Sequence, residues 1–243
     1  MIGIGAVIFD FNGVLVDDEA IHFALFREVL AQEGVVITEC DYHERYLGYD
    51  DRGCFEAALL DAGQSADRSR LDQLIAQKAQ RYVEVAGQGL RFFPEAAETL
   101  EAIAARWPVA ICSGALRPEI ENALRRLGRL NNIAAIISAE DTDKGKPDPQ
   151  GYRLALAALR ACTCNGHDLT ALHPKTQLNL EAINCLVIED SLAGIISAKG
   201  AGMRAVGVPN TYTVHQLRDA GADEVVDGLA TFTPEWIERR FGC

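Results

Sequence analysis

Six short apolar runs, none with polar alternation, constrain the fold of this chain more than any other feature. They fall at residues 4–9, 108–112 ("PVAIC"), 134–137 ("AAII"), 185–188 ("CLVI"), 204–208 ("RAVGV") and, more weakly, 224–226. A strand with one wet face alternates apolar and polar side chains. An unbroken apolar run of this length suits a strand buried on both faces, as in a parallel sheet. Helical patterns fill the gaps. Residues 95–106 carry Ala96, Leu100, Ile103 and Ala104 at helical spacing, with Pro94 where a first-turn proline fits. Residues 117–127, 149–159, 191–200 and 214–220 follow. Alternation of this kind predicts a doubly wound α/β core with a parallel sheet.

The stretch after the first run breaks the pattern. Between Glu19 and about Gly87 there is helical periodicity, at 20–32, 39–47, 52–62 and 69–85, and no convincing strand. A block this long between two strands of one sheet is expected to be an inserted helical cap, 17–89, leaving a Rossmann-like core built from 1–16 and 90–243. Hinges are expected near 16–18 and 87–92, the second marked by "GQG" at 87–89. Open α/β sheets bind ligands beyond the carboxyl ends of their strands. An insertion leaving the end of the first strand is therefore expected to cover the site.

Composition narrows the partners. The 243 residues carry a formal charge of −12, which argues against nucleic acid and anionic membrane, since both need a basic face. A phosphorylated substrate would meet the same repulsion and so needs a metal or local lysines. Met1–Val7 lacks a basic n-region and a long apolar h-region, and no apolar stretch is long enough to cross a bilayer. The seven cysteines are scattered and odd in number, which reads as reduced thiols in a cytoplasmic protein. Cys162 and Cys164, with His167 and His173, match no structural zinc spacing. The segment 162–184 is instead expected to be a surface excursion. A monomer or weak homodimer is expected.

Polar residues sit where the strands end. Asp10 ends the first, Ser113 and Gly114 the second, and Glu189 and Asp190 the fourth; "DTDKGKPDP", with Lys144 and Lys146, follows the third. Each has an ordinary structural explanation alone, as a helix cap or turn former. Their convergence on one sheet edge is harder to explain that way. Asp10 and Asp190 are hard oxygen ligands suited to Mg²⁺. Lys146 can balance carboxylates and phosphoryl oxygens, and Ser113 with the neighbouring amides can donate to phosphate.

In these motifs the sequence resembles the haloacid dehalogenase superfamily, in its β-phosphoglucomutase-like and phosphoglycolate-phosphatase-like branch. "FDFNGVLVDDE" resembles the first family motif, "ICSGA" the second, "GKPDP" the third and "IEDSLAGIISAKGAGM" the fourth; "FFPEAAETL" resembles the segment that re-enters the core after a helical cap. The resemblance implies that Asp10 is a nucleophile taking the phosphoryl group as an aspartyl phosphate. It implies Mg²⁺ held by Asp10, Asp190 and the Asn12 backbone carbonyl, with Glu189 helping through the metal or its waters. It assigns phosphate binding to Ser113, Gly114 and Lys146. "YLGYDDRG" resembles the cap loop that faces the core site, so that Arg52 could reach a distal anionic group of a small phosphorylated metabolite; a surface pairing of Arg52 with Asp50 or Asp51 is the alternative. Lys78, in the polar stretch "IAQKAQR", reads as a solvated lysine, which argues against a Schiff-base phosphonate-cleaving enzyme.

Asn12 departs from the family pattern, which has an acid two positions after the nucleophile. That acid protonates the leaving oxygen and then activates the hydrolytic water. A carboxamide can do neither at neutral pH. The asparagine is native to a phosphatase that is slow, that uses another base or that handles leaving groups needing no proton; or it was introduced as a trap; or it marks a catalytically impaired phospho-ligand-binding protein. A mutase is disfavoured, because it must move protons in both half-reactions. A metal-independent haloacid dehalogenase has no use for the Glu189–Asp190 pair.

Overall fold

The computed structural model describes residues 3–164 and 180–242. The chain divides into two compact units, Met1–Val16 with Phe92–Cys243, and Asp17–Arg91.

The first unit is built on six parallel strands: β1 (Ala6–Phe9), β2 (Val109–Cys112), β3 (Ala135–Ile137), β4 (Cys185–Glu189), β5 (Arg204–Gly207) and β6 (Glu224–Val225). Their spatial order is β3-β2-β1-β4-β5-β6, and every neighbouring pair is parallel. Every residue of β1, β2 and β4 is buried, the burial on both faces that an apolar run without alternation requires. The edge strands β3 and β6 are mostly half-buried, having a neighbour on one side only. After β1 the chain moves outward through β2 to β3, then crosses back to β4 and leaves through β5 and β6. The direction of winding reverses between β1 and β4, and the crevice at their carboxyl ends is the place where such sheets bind ligands.

The second unit is helical: α1 (Glu19–Gln32), α2 (Glu39–Asp41), α3 (Asp51–Asp61) and α4 (Arg68–Gln88). The pattern at 39–47 resolves into α2 and a wider π-helical turn, Tyr42–Tyr46. Phe26, Val29 and Leu30 of α1 pack with Phe55, Ala58 and Leu59 of α3 and with Leu71 and Leu74 of α4, a core of its own.

The remaining helices belong to the first unit: α5 (Ala96–Ala104), α6 (Arg117–Leu127), α7 (Gln150–Cys164), α8 (Leu192–Gly200), α9 (Val214–Asp219) and α10 (Pro234–Phe241). Helix α5 starts after Glu95, so Pro94 precedes it rather than sitting in its first turn. Helix α7 runs through Cys164, and the Cys162 thiol donates to the Ala134 carbonyl, so the expected excursion does not begin at Cys162. Its far end is also structured: Leu180 is buried and 182–184 form a 3₁₀ turn. His167 and His173 lie outside the described residues. No described helix is long and apolar enough to cross a membrane.

One expectation is overturned inside the helical unit. Lys78 is 1% exposed rather than solvated. Its ammonium donates to Asp51 Oδ1 at 2.5 Å and to His22 Nδ1 at 2.8 Å, and lies 4.3 Å from the centroid of the Phe26 ring. The polar spacing around Lys78 showed nothing of these partners, which come from α1 and α3. An Nδ1 that accepts from Lys78 leaves the imidazole proton on Nε2, which faces Asp18 Oδ2 at 3.2 Å. Tyr82 also donates to Asp18 Oδ2, at 2.5 Å. Removing one partner of a buried ion pair leaves the other charge uncompensated, at a cost of about 3–5 kcal/mol. Lys78→Met is therefore expected to destabilise the protein by roughly 3 kcal/mol in denaturant titration, against near-neutrality for a solvated lysine.

Candidate active site

Four loops at the carboxyl edge of the sheet bring the candidate residues together. Asp10 directly follows β1, and its amide donates to the Ile188 carbonyl of β4 at 2.9 Å, continuing the ladder one residue beyond the strand. Gly13 turns the chain away with φ +75°. A Cβ there would lie 1.9 Å from Asp190 Oδ2, so the turn needs glycine both for its backbone and for the carboxylate beside it. Asn210 steadies the same turn by donating to the Gly13 carbonyl at 2.7 Å.

Lys146, from the loop before α7, reaches across the crevice. Its Nζ donates to Asp10 Oδ1 and to Glu189 Oε1, each at 2.6 Å. Glu189, the last residue of β4, is fully buried. Its second oxygen accepts from the Ser191 amide at 2.8 Å and the Ser191 hydroxyl at 2.9 Å. Asp190 accepts from the Thr211 hydroxyl. At the end of β2, the Ser113 hydroxyl accepts from the Ala115 amide at 3.1 Å and donates to Asn12 Oδ1 at 3.3 Å. Gly114 follows it at the surface. Asp10, Asn12, Ser113, Lys146, Glu189 and Asp190 thus share one site. Arg52 belongs to the helical unit, where it donates to Asp72 at 2.5 Å rather than to Asp50 or Asp51. Thr211 and Tyr152, which donates to Glu189 Oε1 at 3.1 Å, were not expected from the sequence.

The charge does not balance. Oxygens of Asp10, Glu189 and Asp190 all lie within 4.8 Å of one another, the one group of this kind among the described residues. They face a single bridging ammonium. Burial pushes the Asp10 carboxyl up to about 7, with Glu189 adding and Lys146 opposing. Burial, then Glu189 and Asp10, hold Asp190 well above the usual carboxylate range. Burial alone would lower Lys146, but Asp10 and Glu189 outweigh it and hold the ammonium firmly charged. An all-oxygen donor set with surplus negative charge, screened from water, fits a hard divalent cation.

Gly194, in the first turn of α8, shows how tightly Glu189 is seated, since a Cβ there would fall 1.6 Å from Glu189 Oε1. In an ordinary helix interior, Gly→Ala stabilises by about 0.5–1 kcal/mol. Here the methyl must displace a carboxylate that accepts hydrogen bonds from Lys146, Tyr152 and Ser191. Gly194→Ala is expected to lower the melting temperature and abolish most activity, opposite in sign to the helix-propensity effect.

Residues 4–202 match the family model of the haloacid dehalogenase-like hydrolases. The chain is 30% identical to the phosphorylated carbohydrates phosphatase of Thermotoga maritima, over 96% of this chain and 95% of that protein. The crystal structure of CbbY from Rhodobacter sphaeroides in complex with phosphate superposes with a TM-score of 0.79 at 25% identity, covering 97% of this chain and 99% of that one. A CbbY mutant from the same organism, with asparagine in place of an aspartate and in complex with xylulose 1,5-bisphosphate, gives a TM-score of 0.75 at 25% identity, over 93% and 95%. With its six-stranded parallel sheet, its carboxylate cluster at the β1–β4 crevice and a family match across most of its length, the chain belongs to the haloacid dehalogenase-like hydrolases.

Proposed function

We propose that this hydrolase is a Mg²⁺-dependent phosphatase of a small phosphorylated carbohydrate, working through an aspartyl phosphate on Asp10, with its second step slowed by Asn12. The observation that carries this is the junction of Asp10, Lys146, Glu189 and Asp190 at the β1–β4 switch point. The names of the relatives, a phosphatase of phosphorylated carbohydrates and a protein holding a sugar bisphosphate, support the substrate class.

Asp10, Asp190 and the Asn12 carbonyl are the proposed Mg²⁺ ligands, with Glu189 acting through the metal or its waters. The ion would supply charge neutralisation for the phosphoryl group and for the carboxylates around it. Lys146 fixes one oxygen of Asp10 and so orients the carboxylate for attack on phosphorus. The O–P bond of the ester breaks as the Asp10–phosphorus bond forms. Lys146, the Ser113 hydroxyl and the amide of Gly114 neutralise charge on the phosphoryl oxygens. The leaving oxygen takes its proton from solvent, since the Asn12 carboxamide has none to give. Water then attacks the aspartyl phosphate without a base at position 12, releasing inorganic phosphate and the Asp10 carboxylate. Arg52 is proposed as the cation for a second anionic group on the substrate.

A phospho-ligand-binding protein is the second reading, favoured by Asn12 alone. A metal-independent dehalogenase leaves the three-carboxylate cluster without a purpose. Positioned general acid–base help is typically worth about 10²–10⁴-fold. Asn12→Asp is therefore expected to raise steady-state turnover of sugar phosphates by about 10²–10⁴-fold. No gain would show that the rest of the machinery is not assembled for turnover.

The carboxylates also predict how metal and pH interact. Burial raises Asp10 from the ordinary carboxylate value to about 7. The folded state therefore holds a proton that the unfolded chain has released, and stability falls as pH rises through that interval. A divalent cation needs the ionised form and reverses the loss. The rise in melting temperature on adding Mg²⁺ is expected to be larger at pH 8 than at pH 5.5. An equal shift at both would contradict the assignment of Asp10 as a ligand.

A further inference from the structure

Tyr152 lies in the first turn of α7, and the motifs at the strand ends do not include it. It is fully buried, and its hydroxyl points at the Glu189 carboxylate. The hydroxyl donates to Glu189 Oε1 at 3.1 Å, the same oxygen that accepts from Lys146 at 2.6 Å. The Lys146 ammonium also stands 5.3 Å from the centroid of the Tyr152 ring, within reach of a cation–π attraction. One side chain therefore touches both members of the Lys146–Glu189 pair. Gly151 lets the helix approach so closely: a Cβ there would be 2.9 Å from Cys112 Sγ.

The full set of donors around Glu189 gives this contact its meaning. Ser191 supplies two donors to one oxygen, and Lys146 and Tyr152 supply one each to the other. A carboxylate shared among four donors draws on each of them less strongly. Without the phenol, Glu189 Oε1 would be left with the ammonium and would compete harder with Asp10 for it.

We infer that Tyr152 is a positioning residue: its hydroxyl and ring face divide the claim of Glu189 on Lys146, so that the ammonium stays on Asp10 and on the phosphoryl group brought there. This inference rests on the proposed assignment of Lys146 to phosphate. The effect is exerted through Lys146, not through substrate contact and not through the metal.

Tyr152→Phe keeps the volume and the ring and removes the hydroxyl. A hydrogen bond to a charged group carries about a tenfold effect or more. The variant is expected to bind inorganic phosphate, as a competitive inhibitor, about tenfold more weakly and to lose about tenfold in kcat/KM. Its Mg²⁺ affinity by titration calorimetry should stay within about twofold of wild type. Tyr152→Leu, which removes the ring as well, should lose more of the phosphate affinity than Tyr152→Phe. A purely structural role would lower the melting temperature and leave phosphate affinity in place.

A double-mutant cycle closes the test. In a Lys146→Met background, Tyr152→Phe should have no further effect on phosphate affinity. The inference is overturned if Tyr152→Phe leaves phosphate binding unchanged, or if its effect persists in full without Lys146. Should Lys146→Met itself leave phosphate binding unchanged, the assignment of Lys146 in the proposed function falls first. The cycle therefore separates the two failures.

Discussion

Lys146 holds together two carboxylates that would otherwise repel each other across the carboxyl edge of the sheet. Its two 2.6 Å bonds tie Asp10, at the end of β1, to Glu189, at the end of β4. These residues come from opposite ends of the core unit and meet because β1 and β4 are neighbours in the sheet. A third carboxylate, Asp190, remains beyond what one ammonium can balance. The features around the crevice follow from accommodating this charge. Glycines stand where any side chain would strike a carboxylate, at Gly13 and Gly194, and hydroxyls of Thr211, Ser191 and Tyr152 supply uncharged donors.

Concentrating negative charge in a buried crevice is costly in itself, and a cation bound there would offset the cost. In the proposed reading the carboxylates would hold the positive ion, and the ion with Lys146 would make room for a phosphoryl group that a chain of charge −12 otherwise repels. On that reading the charge imbalance is what would allow an acidic protein to handle an acidic substrate. Asn12 leaves this electrostatic arrangement untouched. A carboxamide transfers no proton at neutral pH, and under the proposed mechanism neither burial nor a bound metal would replace that step.

The strands and the residues that gather at their carboxyl edge were legible in the sequence because both depend on local facts. Runs such as "CLVI" report burial on both faces, and β4 appears there at Cys185–Glu189. Asp10, Lys146, Glu189 and Asp190 each follow or flank such a run, so the order of the strands alone puts them on one edge. Tyr152 and Lys78 were not legible. Tyr152 reads as one more apolar-face residue of a helix, and its hydroxyl partner is 37 positions away. Lys78 sits in a polar stretch, while its partner His22 lies 56 positions distant on another helix. Periodicity reports which face a residue takes. It is silent on which polar group from a distant element waits there. The length of α7 was missed for a related reason, since "ACTC" reads as loop but continues the helix once Cys162 finds the Ala134 carbonyl.

In the proposed mechanism Asp10 attacks phosphorus with metal assistance and Asn12 delays the second step. Pre-steady-state release of p-nitrophenol from p-nitrophenyl phosphate tests it most directly, because this leaving group needs no proton. In the presence of Mg²⁺ a burst close to one equivalent per site should precede slow turnover, and chelator should abolish both. Release that is linear from the first turnover, or that continues unchanged in chelator, would contradict the account.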